Sequence, residues 1–177
     1  MKKIVIIGAN NFQMPLIIKA KELGYETHVF AWAEGAVGAA FADYFYPISI
    51  VERDRILTKC KEIKPDAVIS VASDLATLTV NYLADKLGLV GNSLECTRLS
   101  TNKYEMRKAF LANGVSVPKF IKVAGTGEEE ISKIRDFSMP IIVKPTDRSG
   151  SRSINKIESW EEAESGKLKE AIEAAIE

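Results

Sequence analysis

The chain has 177 residues, with 24 Lys+Arg against 24 Asp+Glu and a formal net charge of zero. An apolar fraction of 46% and a charged fraction of 27% exclude a disordered or collagen-like chain. The charge balance removes the electrostatic reason to expect a nucleic-acid partner, and two cysteines with one histidine are too few for a Cys/His zinc site.

This length suffices for one large domain or two small ones, without disulfides or metal to hold the fold. Cys60 and Cys96 read as free thiols, with a bridge between them as the alternative. Ile4 to Ile7 is a run of four apolar residues ended by Gly8, too short for a secretory core or a membrane span. The expectation is a cytoplasmic protein with no membrane partner.

That same run is β-branched throughout, the pattern of a strand buried on both faces of a parallel sheet. Phe12 to Leu23 has helical apolar spacing, with Pro15 in the first turn and Gly24 as the stop. Glu26 to Ala31 and Tyr44 to Ile50 read as strands. Arg53 to Ile63 reads as a helix and Ala67 to Val71 as a further buried strand. Asp74 to Leu87 is a helix with Asp74 as its N-cap and Gly88 as its end. Strands alternating with helices at this pitch predict an α/β fold, a Rossmann-like doubly wound parallel sheet.

After Gly91 the pattern changes. Two helices follow in succession, Ser93 to Leu99 and Lys103 to Asn113, the second opened by an Asn102/Glu105 capping box. Then come a strand (Lys119 to Val123), a helix (Glu128 to Phe137), a strand (Pro140 to Lys144) and a polar loop (Pro145 to Gly150). A strand (Ser151 to Ile157) and a last helix from Ser159 close the chain. The expected domains are residues 1–95, linking helices 96–115, and a partial α+β subdomain over 116–177.

The loop Gly8-Ala9-Asn10-Asn11-Phe12-Gln13 stands where a dinucleotide fold carries G-x-G-x-x-G. Asn10 and Gln13 replace the second and third glycines, which argues against a nicotinamide cofactor. Two readings stay open: a turn that needs Gly8 for its geometry, or Asn10 and Gln13 facing a polar small molecule at the carboxyl edge of the sheet. Ser73 and Asp74 end a later strand on that edge. They cap a helix or contact the same substrate.

Lys103 stands at a helix start, where the dipole disfavours a cation and favours an anion: it is either an ordinary exposed first-turn lysine or, with the helix N-terminus, a phosphate site. Lys144 ends an apolar strand before Pro145: either it snorkels from the strand end into solvent, or its ammonium is buried and asks for an anion. The loop that follows holds Ser149, Gly150 and Ser151. Its hydroxyls and backbone N–H groups can wrap phosphates and close over them.

These residues in this order resemble the front half of an ATP-grasp protein of the carbamoyl-phosphate-synthase-like and biotin-carboxylase-like carboxylate–amine ligases. The resemblance runs from Ile4–Gly8 and Gln13–Leu16 through Gly91–Ser93, Thr101–Arg107 and Gly114–Pro118 to Pro140–Pro145 and the next loop. It implies ATP and Mg as cofactors, activation of a carboxylate as an acyl phosphate, and attack by an amine or similar nucleophile. Residue by residue, it implies ATP contacts from Lys103 and Lys144, and a phosphate lid from Ser149, Gly150 and Ser151. The loop has fewer glycines than is common in the family. No match to the family's metal ligands is found, so they are expected outside this chain. The expectation is a truncated ligase: a whole first domain and most of a small lid, inactive alone, with monomer and homo-oligomer both left open. The rival expectation is a noncatalytic module that binds a small molecule or nucleotide in the first domain's crevice.

Overall fold

The computed structural model describes residues 1–148 and 150–176. The chain divides into two compact units, Met1–Arg98 and Leu99–Glu177.

The first unit is built on four parallel strands: β1 (Lys3–Ile7), β2 (Glu26–Phe30), β3 (Tyr44–Tyr46) and β4 (Ala67–Ile69), in the order β3-β2-β1-β4. Alternation along β1 explains why it reads as one apolar run. Ile4 and Ile6 pack with Ile17 and Ala20 of α1 (Met14–Glu22) on one face. Val5 and Ile7 pack on the other with Ile56 and Cys60 of α2 (Arg53–Ile63) and Leu83 of α3 (Asp74–Leu87). Helices thus cover both faces, and the sheet is doubly wound. From β1 the chain moves outward to β2 and β3, then returns to β4 on β1's other side. That reversal opens a crevice at the carboxyl ends of β1 and β4.

The fourth strand stops at Ile69, two residues before the expected Val71, and three further differences from expectation in this unit have a local cause. The third strand stops at Tyr46 instead of Ile50, since Pro47 has no N–H to continue the ladder. The N-cap of α3 is Ser73, not Asp74. Ser73 is extended (φ −150°) and its Oγ accepts from Ala76 N at 3.1 Å. The first helix begins at Met14, because residues 11–13 form a turn closed by Gln13 N and Met14 N donating to the Asn10 carbonyl.

Polar groups in this core are paired. His28, 4% exposed, lies between Glu26 Oε1 (2.8 Å) and Tyr46 Oη (3.0 Å). Asn81 donates to Thr97 Oγ1 (2.8 Å) and accepts from Asn92 N (3.2 Å), holding the segment after Gly91 on α3. Both cysteines are free, and burial pushes the Cys60 thiol up to about 12.

Helix α4 (Leu94–Thr101) carries the unit boundary. In the second unit, α5 (Lys103–Ala112) is capped by Asn102, whose Oδ1 accepts from Tyr104 N and Glu105 N. α6 (Glu128–Ser132) precedes an antiparallel pair, β5 (Ile141–Val143) and β6 (Asn155–Ile157). Ser159 caps α7 (Trp160–Glu162), and a π-helical stretch leads to α8 (Leu168–Ile176). Ile157, Ile134, Leu168 and Ile172 form this unit's core.

The expected strand at Lys119 to Val123 is absent. A strand needs a neighbour to pair with, and this extended segment is held by side chains instead. Lys119 Nζ donates to the Asp136 carbonyl at 2.6 Å and sits 4.6 Å from the Phe137 ring centre. The expected helix to Phe137 ends at Ser132 and continues as turns. The last strand is short because Ser151 and Ser153 have positive φ (58° and 52°), which no strand accommodates. Among the described residues, no helix is long and apolar enough to cross a membrane.

Candidate functional site

Two groups of predicted site residues exist, one in each unit. In the first unit they line the crevice at the sheet's carboxyl edge. Gly8 has φ +99°, a conformation that suits glycine, and a Cβ there would come within 3.1 Å of the Gln13 side chain. Gln13 is 1% exposed and fills that space. Its Nε2 donates to the Val71 carbonyl at 2.6 Å and its Oε1 accepts from Asn10 N at 3.3 Å. Gln13 therefore ties the loop after β1 to the loop after β4, with its amide engaged at both ends. Asn10 is exposed, and its Oδ1 accepts from Phe12 N at 2.8 Å. Ser73 is engaged as the cap of α3, and Asp74 is exposed in that helix's first turn. Ser70 Oγ donates to the Ile7 carbonyl at 2.6 Å, closing the crevice floor.

The second group gathers around the start of α5. Lys103 donates its backbone N–H to the Thr146 carbonyl at 2.7 Å, and its Nζ to the Arg148 carbonyl. These bonds fix the helix start against the polar loop that follows β5. Lys144, the residue after β5, is half-buried. Its ammonium is held below the ordinary lysine value, first by burial and then by the positive charges of Arg107 and Lys103. Arg107 lies one turn along α5 from Lys103. Its guanidinium stands 6.0 Å from the centre of the Phe120 ring, which meets Tyr104 edge-on at 5.7 Å. Among the described residues, none of these three cations forms an ion pair with a carboxylate.

Gly150 and Ser151 stand in the exposed turn beyond Arg148, with φ of 73° and 58°. Positive φ is free for the glycine and a mild strain for the serine. Ser149, predicted for the same loop, lies outside the described residues. Sequence reasoning gave Arg107 no role. Its spacing of four from Lys103, which puts both on one helix face, was the available signal.

The donor set fits a polyphosphate: cations gathered without a carboxylate, one of them half-buried, beside a turn-rich loop. It does not fit a magnesium ion. Among the described residues, no three His, Cys, Asp or Glu side chains gather to hold a metal.

No family model matches the chain. It is 26% identical over 171 residues to a formate-dependent phosphoribosylglycinamide formyltransferase of Prochlorococcus marinus, across 92% of this chain and 43% of that relative. Among solved structures, phosphoribosylglycinamide synthetase from Anaerococcus prevotii superposes with a TM-score of 0.68 at 27% identity. That match covers 94% of this chain and 41% of the other. N5-carboxyaminoimidazole synthetase from Staphylococcus aureus, solved with ADP, superposes with a TM-score of 0.77 at 17% identity, covering 98% and 45%. The last likeness shows the fold alone. The chain spans less than half the length of the curated relatives that it matches. These homologues are ATP-grasp enzymes, which use ATP and Mg, and the chain corresponds to their N-terminal portion.

Proposed function

We propose that this chain carries the phosphate-binding lid and the preceding Rossmann-like domain of an ATP-dependent carboxylate–amine ligase. The observation that carries the reading is the half-buried, carboxylate-free Lys144 beside Lys103 and the loop at Arg148. A lysine kept in that state is poised for an anion, because a polyphosphate returns what desolvation and like charge take away.

On this reading Lys103 and Lys144 hold the phosphates of ATP. The loop of Ser149, Gly150 and Ser151 closes over them and excludes water. The cations offset charge that develops as a carboxylate oxygen attacks the terminal phosphorus and ADP leaves, forming an acyl phosphate; an amine then attacks its carbonyl carbon, the C–O bond breaks and inorganic phosphate leaves. Magnesium would supply further charge neutralisation, from ligands outside these residues. The crevice of Asn10, Ser73 and Asp74 faces the small-molecule substrate, with Gln13 setting the spacing of its two loops.

Calorimetry with Mg·ATP tests the reading. The chain is expected to bind weakly and without turnover, and Lys103→Gln and Lys144→Gln are each expected to weaken binding about tenfold, the loss of one charge-assisted contact. If both variants keep the parent affinity while Asp74→Asn or Asn10→Ala abolishes it, the chain is instead a binding module that uses the crevice.

A further inference from the structure

We propose that Arg107 is the third anion-binding residue of the Lys103 and Lys144 site, contacting the same phosphate group from the next turn of α5. This inference rests on the function proposed above and adds a residue that neither the motif nor the resemblance assigns.

Three independent features place it. The first is helical geometry. Lys103 and Arg107 are four apart on α5, so both side chains lie on one face. The second is anchorage. Lys103 is tied through its N–H to Thr146 (2.7 Å) and through its Nζ to the carbonyl of Arg148, so this face of α5 is set against the segment after β5 that carries Lys144. Arg107 is steadied over Phe120 at 6.0 Å, and Phe120 is braced by Tyr104. A guanidinium held over a ring face is drawn to one side of the helix, which narrows the positions its fork of N–H groups samples before binding.

The third feature is charge. Its neighbour Lys108 pairs with Glu105 at 3.6 Å, whereas Arg107 pairs with no carboxylate among the described residues. Instead it raises the cost of charging Lys144, and does so more than Lys103 does. Like charges gathered around a half-buried ammonium oppose one another until an anion sits between them. Arginine suits that place better than lysine, because its planar fork can hold two phosphate oxygens at once.

The test uses inorganic tripolyphosphate and Mg·ATP, titrated into the chain by calorimetry at two salt concentrations. The variants are Arg107→Gln, Arg107→Lys, Lys103→Gln and, as a control, Lys108→Gln. Arg107→Gln is expected to weaken tripolyphosphate binding about tenfold and to flatten its salt dependence, with Arg107→Lys recovering part of the loss. In the free chain, a ¹³C titration of the Lys144 ε-carbon is expected to move to higher pH in Arg107→Gln, a shift that loss of packing over Phe120 alone does not produce. If Arg107→Gln matches Lys108→Gln while Lys103→Gln weakens binding, Arg107 is outside the site and the proposed function stands. If no variant changes binding, that function falls and the inference with it. Arg107→Lys keeps the charge and the stem. Should Arg107→Gln fail to fold, equal tripolyphosphate affinity and an equal salt slope for Arg107→Lys and the parent at both salt concentrations would overturn the bidentate role.

Discussion

Lys144 and Asp43 are charged residues in opposite situations. Asp43 accepts from Thr27 N and Thr27 Oγ1 at 2.9 Å each and from Lys21 Nζ at 2.8 Å. The Lys21 bond, then the Thr27 N–H, brings its carboxyl down to about 2 from an ordinary 3.8. A carboxylate depressed in the folded state stabilises the fold above its unfolded value, and that contribution is lost as pH falls toward the folded one. Asp43→Asn should therefore cost about 1 kcal/mol at neutral pH, allowing for solvent screening. The parent's extra loss of stability between pH 3.8 and about 2 should be missing from the variant in acid melts. Equal slopes for parent and variant in that window would contradict the assignment.

Lys144 runs the other way. Its ammonium is depressed, so protonation opposes folding at neutral pH and stability rises as pH climbs toward the ordinary lysine range. Lys144→Met should weaken Mg·ATP binding about tenfold, as the loss of one charge-assisted contact does, yet leave the melting temperature unchanged or higher. A fall of more than about 4 °C, on the order of 1 kcal/mol or more, would show that the lysine supports the fold.

Among the elements, α2 and α3 were legible to the residue, Arg53–Ile63 and Asp74–Leu87, because their apolar period and end signals agree. Gly88 ends α3 with φ +66°, as a left-handed cap does. The cap itself was misplaced by one. An adjacent serine and aspartate offer equal signals in sequence, and only backbone geometry separates them: Ser73 is extended and accepts from Ala76 N. Ser73→Ala should cost about 1 kcal/mol in urea melts and Asp74→Ala only a few tenths. The reverse order would return the cap to Asp74. The strand at Lys119 to Val123 was not legible. Its composition is that of a strand, but pairing depends on a distant neighbour, and this segment spends its side chains on Asp136, Phe137 and Tyr104. Gln13 shows the same limit. Sequence placed it at the crevice, but only the fold shows its amide bridging Asn10 and Val71.

At the scale of the molecule, the doubly wound sheet was readable, since alternation of strand and helix survives errors at element ends. Lys103 and Lys144 were singled out from the sequence, each a cation at a position where local physics disfavours one. Arg107 was not, because an arginine inside an amphipathic helix looks like any solvated residue until Phe120 and Lys144 are seen beside it. The central claim is that the second unit's cations, and not the first unit's crevice, receive the nucleotide phosphates. An amide and side-chain NMR titration of the chain with Mg·ATP tests it most directly. The account predicts the largest shifts at Lys103, Arg107, Lys144, Gly150 and Ser151. Shifts confined to Gly8, Asn10, Ser73 and Asp74 would contradict it.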